Sequence, residues 1–309
     1  MSDPTDTVGE QVDAVILGCG YVGIELGRQL TEAGFDVVGV RRSADGLDAI
    51  EAAGFTAKEA DLTAPKTLES LPDARWLVFA ASSGGRGADA AQEIFVDGLE
   101  TAIEAYGTRS TPPERLVYTS STGVYGDHDG EWVDESTPIN PTTDKTAVLA
   151  EAERVAIERT AEHGIDGTVV RFAGLYGPDR YRLSRYLEGP VTEGYLNMVH
   201  REDAAGSIAF LLREGFARGE TVLVADDEPA DKWTFADWLA DQCGRDSPPK
   251  QTKAERIADG SLSAAAKRRI KTSKRCSNDR LNELGYELRY PTYREGYRAA
   301  IDAYTGSDR

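Results

Sequence analysis

The chain has 309 residues, with 53 acidic and 35 basic side chains and a formal net charge of −18. That length fits one large domain or two interlocked ones, and 40% hydrophobic residues suffice for a sizeable core, which excludes a disordered chain and a small disulfide scaffold. The acid excess excludes a protein whose whole surface grips nucleic acid or an anionic membrane.

In chain order, the polar and acidic stretch 1–11 reads as a flexible tail without the charge–apolar–small pattern of a signal peptide. Val12–Leu17 (VDAVIL) is a short β-rich apolar run, predicted as a buried strand. It runs into Gly18-Cys19-Gly20-Tyr21-Val22-Gly23, after which Val22, Leu26, Leu30 and Ala33 recur at helical spacing until Gly34. Strands are expected at Phe35–Val40, Phe55–Ala60, Arg75–Ala81, Arg115–Thr119 and Gly167–Phe172. Helices are expected at Ala44–Ala53, Ala88–Tyr106 and Thr143–His163. This alternation at βαβ lengths predicts an α/β protein whose mostly parallel sheet is covered on both faces. Beyond Tyr176-Gly177-Pro178 the rhythm loosens, with a strand expected at Glu220–Ala225 and helices at Phe235–Cys243 and Tyr293–Tyr304. A nucleotide-binding part at 12–180 is therefore expected, followed by a smaller α/β substrate part at 181–309, with 195–226 returning to the sheet.

A Gly-x-Gly-x-x-Gly run between strand and helix has a mechanism. Gly18 permits the tight turn, Gly20 lets a pyrophosphate approach the backbone, and Gly23 lets helix and strand pack closely. The helix N-terminus then offers free N–H groups and a positive dipole end to the phosphates. This is the fingerprint of a Rossmann-type, doubly wound fold. At the end of the second strand an acid would hold both ribose hydroxyls of NAD. Arg41, Arg42 and Ser43 stand there instead, suited to a 2′-phosphate, so NADP is favoured with NAD as the alternative.

With that fingerprint, the segments Ala80–Gly84 (AASSG), Thr119–Gly126 (TSSTGVYG), Arg171–Pro178 (RFAGLYGP) and Asn197–Ala204 (NMVHREDA) occur in order. The chain thereby resembles the extended branch of the short-chain dehydrogenase/reductases, from Val12 to Ala303. Its later segments, Asp226–Pro229, Lys274–Leu281 and Gly285–Gly296, look most like an atypical NAD(P)-dependent epimerase/dehydratase subgroup. The expected cofactor site comprises Gly18, Gly20, Tyr21, Val22, Gly23, Arg41, Arg42, Ser43, Asp61, Leu62, Ala80, Ala81 and Ser82. In such folds an Asp at the position of Asp61 meets the adenine amino group.

The resemblance implies a catalytic Ser/Thr, a Tyr-x-x-x-Lys pair and a supporting Asn. Ser121 matches the first, and Asp97 stands where the Asn is expected. The pair itself is missing. After Asn140-Pro141 the chain reads Thr142-Thr143-Asp144-Lys145-Thr146-Ala147-Val148-Leu149. If Glu153 matches the family's helix Glu, Lys145 takes the Tyr position and Leu149 the Lys position; if Glu151 matches, Thr143 and Ala147 do. Neither Leu nor Ala can lower a phenol pKa of about 10. The catalytic candidates are thus Ser121, Asp97 and Lys145. Ser121, Thr122, Tyr125, Tyr176 and His200 are the candidate substrate contacts, with Lys271, Lys274, Arg275 and Asn278 as candidates for closing over an anionic ligand.

Cys19, Cys243 and Cys276 are odd in number and far apart, and His128, His163 and His200 are scattered, so reduced thiols and no metal site are expected. No apolar run approaches the length of a membrane span. The chain reads as cytoplasmic, with a small-molecule substrate as partner, neither nucleic acid nor membrane, and a homodimer through Ala88–Tyr106 and Thr143–His163 implied by the resemblance. Only 9 of the 35 basic residues are Lys, which with the acid excess predicts adaptation to a salt-rich, halophilic cytoplasm. Stability rising steeply into molar KCl is the expected result, and full stability in dilute buffer would contradict it. Two readings compete: an NADP-dependent oxidoreductase or epimerase-like enzyme acting on a small polar, nucleotide-linked or phosphorylated substrate, and a non-catalytic NADP-binding sensor.

Overall fold

A computed structural model describes residues 11–83, 87–260 and 262–307. The expected N-terminal tail lies, except for Gln11, outside the described residues, as does Gly84 of the AASSG segment. Seven strands form the main sheet: β1 (Val12–Leu17), β2 (Val37–Arg41), β3 (Thr56–Glu59), β4 (Ala74–Phe79), β5 (Arg115–Ser121), β6 (Asp166–Phe172) and β7 (Thr221–Val224). Their spatial order is β7-β6-β5-β4-β1-β2-β3, and β1 pairs in parallel with both β2 and β4. Chain order reverses at β1, so a crevice opens outside the carboxyl ends of β1 and β4, where ligands of such sheets bind. Register brings those ends level, since Leu17 lies beside both Val40 and Phe79.

The helices that matter below are α1 (Tyr21–Glu32), α2 (Ala44–Ala52), α3 (Gly98–Gly107), α4 (Asp144–Glu162), α5 (Leu183–Leu187), α6 (Arg201–Glu214), α7 (Lys232–Gln242), α8 (Lys253–Ala258), α9 (Ala264–Lys271) and α10 (Arg298–Ser307). The single helix expected over Ala88–Tyr106 is composite. An α-helical turn at Ala88–Ala91 passes into a π-helix at Gln92–Asp97 before α3. Three consecutive buried residues, Ile94, Phe95 and Val96, are turned inward there, a run that the widened π-helical ring accommodates.

The chain divides into two compact units. The first comprises residues 1–120, Val148–Val169 and Ile208–Thr221; the second comprises Ser121–Ala147, Val170–Ser207 and Val222–Arg309. Each unit is assembled from three separated segments of the chain. In the first, Val15, Ile16, Leu17, Leu77, Val78 and Phe79 are fully buried. Gly27 and Gly39 leave room for the Phe55 ring, whose atoms lie 2.2 and 2.8 Å from where a Cβ would stand. The second unit has its own core, in which Phe235 meets Tyr186, Tyr293 and Tyr297 edge-on and Tyr176 stacks on Tyr297 at 5.1 Å. Four two-stranded pairings hold its loops, among them Gly174–Tyr176 with Met198–His200 and Val191–Thr192 with Lys250–Gln251.

Candidate functional site

The first unit builds a cavity of about 220 Å³ where β1, β2 and β4 end. Gly18, Arg41, Arg42, Ser43, Asp61, Leu62, Ala81 and Ser82 line it, all expected from the sequence, together with Val40, Ala60 and Ile94, which were not. Val40 and Ala60 adjoin Arg41 and Asp61, so their neighbours carried the signal; Ile94 comes from the π-helix and had none. Gly20, Tyr21, Val22, Gly23 and Ala80 are not among the lining residues.

The glycines act by what they omit. Gly18 has φ +74°, and a Cβ there would lie 2.3 Å from the Ala81 Cα. At Gly23 a Cβ would meet Ile16 Cγ2 at 3.0 Å, which is the close packing of α1 on β1. At Gly20 it would stand 2.9 Å from Arg41 Nη1, so the guanidinium reaches over the turn. The Arg41 Nε is likewise 2.8 Å from where a Gly46 Cβ would be, so the side chain lies along the first turn of α2. Among the described residues no carboxylate forms an ion pair with Arg41. The first turn of α1 has no acid and its N-cap Gly20 supplies no side-chain cap, so no carboxylate of its own opposes the positive end of the helix dipole. Ser43, the N-cap of α2, makes no capping bond with its hydroxyl.

Arg42 pairs with Asp61 at 3.3 Å across the cavity's exposed rim. The Thr63 backbone N–H, its hydroxyl and then Arg42 hold the Asp61 carboxyl below the usual aspartate value, against partial burial. A glycine cradle without side chains, an open helix N-terminus and an unpaired guanidinium together fit a nicotinamide dinucleotide.

The candidate catalytic residues are placed differently. Ser121 Oγ accepts from the Gly123 N–H at 3.2 Å and caps the 3₁₀ turn Thr122–Tyr125. Asp97 is exposed at the end of the π-helix, and its carboxylate accepts from Gln92 Nε2 at 3.2 Å. On α4, Glu153 is buried and accepts from Ser120 Oγ at 2.6 Å, whereas Glu151 is exposed and pairs with Arg154. The inward carboxylate is therefore Glu153. Leu149 and Lys145, four and eight residues earlier, fall on the same helix face. Leu149 is buried and Lys145 half-buried.

The second unit encloses most of the candidate substrate contacts. Thr122 is buried. Tyr125 is fully buried, accepts from Arg171 Nη1 at 2.9 Å, and has its phenol pushed up to about 12, chiefly by burial. Tyr176 is buried against Tyr297, and its hydroxyl would lie 1.9 Å from a Cβ at Gly296. His200 is buried 3.8 Å from the Tyr290 ring, and its Nδ1 accepts from the Glu202 N–H at 3.3 Å. Tyr125, Tyr176 and His200 are thus all buried, each beside another aromatic ring. Lys274 and Asn278 are buried too, donating to the Gly126 and Ala225 carbonyls, and Arg275 donates to the Gly130 carbonyl while packing against Trp132 and Tyr195. Among the described residues no three His, Cys, Asp or Glu side chains are grouped to hold a metal, and no helix is long and apolar enough to cross a membrane.

Asp226 has no hydrogen-bond partner for either carboxyl oxygen among the described residues. Burial, then Asp227, Glu228 and Asp203, push its carboxyl well above the usual value. An unfolded aspartate ionises at about 3.9, so this group supports the fold fully below that pH and less as pH rises. Urea midpoints should show Asp226→Asn gaining on the unmodified chain from acid to neutral pH; a constant difference would contradict it.

Residues 14–212 match the NAD dependent epimerase/dehydratase family. Protein YeeZ of Escherichia coli K12 is 30% identical over 287 residues, which span 89% of this chain and 95% of that one. A solved structure from Methylobacillus flagellatus, provisionally named as an NAD-dependent epimerase/dehydratase, is 31% identical, with a TM-score of 0.74 over 94% of this chain and 98% of its own. The UDP-glucose 4-epimerase of Thermotoga maritima, at 17% identity, shares the fold with a TM-score of 0.78 over 97% of this chain and 100% of that one. With a glycine cradle at the sheet's switch point and a family match across 14–212, the chain belongs to the NAD-dependent epimerase/dehydratase family.

Proposed function

We propose that the chain binds NADP(H) in preference to NAD(H) and acts as an NADP-dependent reductase or epimerase-like enzyme on a small polar substrate. The observation that carries this reading is the position of Arg41, laid along α2 and over Gly20, with Arg42 and Ser43 lining the same cavity. A guanidinium that ends a strand next to a free N-cap hydroxyl offers a 2′-phosphate charge-assisted hydrogen bonds and offers a bare ribose little. When bound, the cofactor supplies hydride chemistry. The chain's own residues hold its diphosphate at Gly18, Gly20 and the start of α1, and Ser121 and Lys145 are the groups proposed to orient the substrate and move its proton. The exposed Asp97 is proposed to support the site only through its helix. A homodimer in a salt-rich cytoplasm completes the reading.

A second reading, a sensor that binds NADP(H) without turnover, is favoured by Leu149. This buried side chain stands where the resemblance places the Lys that tunes a catalytic phenol. NADPH fluorescence titration followed by a panel of polar carbonyl substrates, read as loss of reduced-nicotinamide absorbance, separates the two. For the enzyme, Lys145→Met should lower turnover roughly 100-fold or more while leaving NADPH affinity unchanged. Binding without turnover across the panel would move the assignment to the sensor.

A further inference from the structure

A second, larger cavity of about 490 Å³ lies wholly within the second unit. Its charged lining is of one sign: Arg182 and Arg185 from the start of α5, Lys232 from the start of α7, and Arg256 from α8, with no carboxylate. Arg256 is partly committed, pairing with Asp259 at 2.9 Å. Among the described residues, Arg182, Arg185 and Lys232 form no ion pair. Burial first, then Arg185 and Lys253, push the Lys232 ammonium down to about 8. A half-buried ammonium beside two exposed guanidinium groups, none of the three in an ion pair among the described residues, gains from a ligand that supplies a counter-charge.

The rest of the wall is aliphatic: Pro190, Val191, Leu262, Ala266 and Ile270. Ala266 and Ile270, four residues apart, present one face of α9. Among the described lining residues, Thr192 is the one uncharged hydroxyl apart from the buried Tyr186, whose ring packs edge-on against Phe235. Among the described lining residues there is no side-chain amide or carboxylate, the groups that would satisfy the hydroxyls of a sugar or the edges of a base.

We infer that this cavity binds a phosphate monoester carried on an aliphatic body, the phosphate held by Arg182, Arg185 and Lys232 and the body laid along Val191, Leu262 and Ile270. The inference deepens the functional reading by naming a substrate class. It rests on that reading for the ligand's role as substrate, and the binding itself does not depend on it. Several cations around one small cavity favour a doubly charged phosphate over a singly charged carboxylate. The aliphatic wall adds affinity with each methylene it removes from water.

The test is calorimetry on the full chain saturated with NADPH, titrated with hexyl phosphate, inorganic phosphate, hexanoate and uridine monophosphate at one ionic strength. Hexyl phosphate should bind at least tenfold more tightly than each of the others. Lys232→Met should weaken it at least tenfold, and Ile270→Asn should weaken hexyl phosphate but not inorganic phosphate. Unchanged NADPH affinity serves as the fold control, and where Lys232→Met fails it, Arg185→Gln on α5 gives the same readout. Arg41→Asp should leave hexyl phosphate binding unchanged. Equal binding of uridine monophosphate or hexanoate, or insensitivity to both Lys232→Met and Arg185→Gln, overturns the inference. Loss of hexyl phosphate binding with NADPH binding intact counts against this site alone, and failure to bind NADPH counts against the cofactor reading alone.

Discussion

Arg41→Asp should weaken NADPH binding roughly 100-fold while NADH affinity stays within about threefold, as expected when charge-assisted hydrogen bonds to one phosphate are replaced by repulsion. The asymmetry follows from position. The guanidinium lies over Gly20 and along Gly46, at the end of β2, where the adenosine ribose of a bound dinucleotide is expected. A residue that only stacked on adenine would contribute equally to both cofactors. Fluorescence titration of both reduced nucleotides at fixed salt checks the ratio, and equal losses would remove the phosphate role of Arg41.

Arg115→Met should lower stability by about 2–4 kcal/mol, the cost expected when hydrogen bonds from a buried charged donor are lost and an acceptor is left unpaired. Arg115 is fully buried on β5, and burial pushes its guanidinium down to about 10, so it is still charged at neutral pH. It donates to the Leu211 carbonyl at 2.6 Å, to Thr168 Oγ1 at 2.6 Å and to the Phe216 carbonyl at 2.7 Å, tying β5 to β6 and to the end of α6. The Met variant leaves the Phe216 carbonyl without this donor, while the Leu211 carbonyl keeps the Phe216 N–H at 3.1 Å, and an unsatisfied buried acceptor bears its full desolvation cost. Arg75→Met is the control. Its pair with Glu114 is about half exposed on both sides and should contribute less than about 1 kcal/mol. Urea midpoints of both variants in the same KCl concentration decide the matter, and equal small shifts would contradict the account of Arg115.

The sheet was legible because its central strands are continuous apolar runs such as Val12–Leu17, bounded by glycines that the backbone requires. The lining of the first unit's cavity was legible for the same reason: Gly18, Arg41–Ser43 and Asp61 each stand at or just beyond the end of a strand, so local order foretells spatial order. The second unit was not. Its strands are two or three residues long, too short to show a period, and their pairings join positions as distant as Val191 and Lys250. Nor does a sequence reveal which way an aromatic points: Tyr125, Tyr176 and His200 lie within the family segments and are buried in the interior. The meeting of Arg182, Lys232 and Arg256 in one cavity depends on three separate helices and left no local trace. Which carboxylate of α4 turns inward also left no local trace: Glu153 is buried and Glu151 exposed, with Leu149 and Lys145 on the Glu153 face.

The central claim is that the turn at Gly18–Gly23 and the guanidinium of Arg41 together form an NADP site. Calorimetric titration of the unmodified chain with NADP⁺ and with NAD⁺, at one salt concentration, tests it most directly. Saturable heat with NADP⁺ and at least tenfold weaker binding of NAD⁺ is the predicted result. No heat with either nucleotide, or tighter binding of NAD⁺, would contradict it.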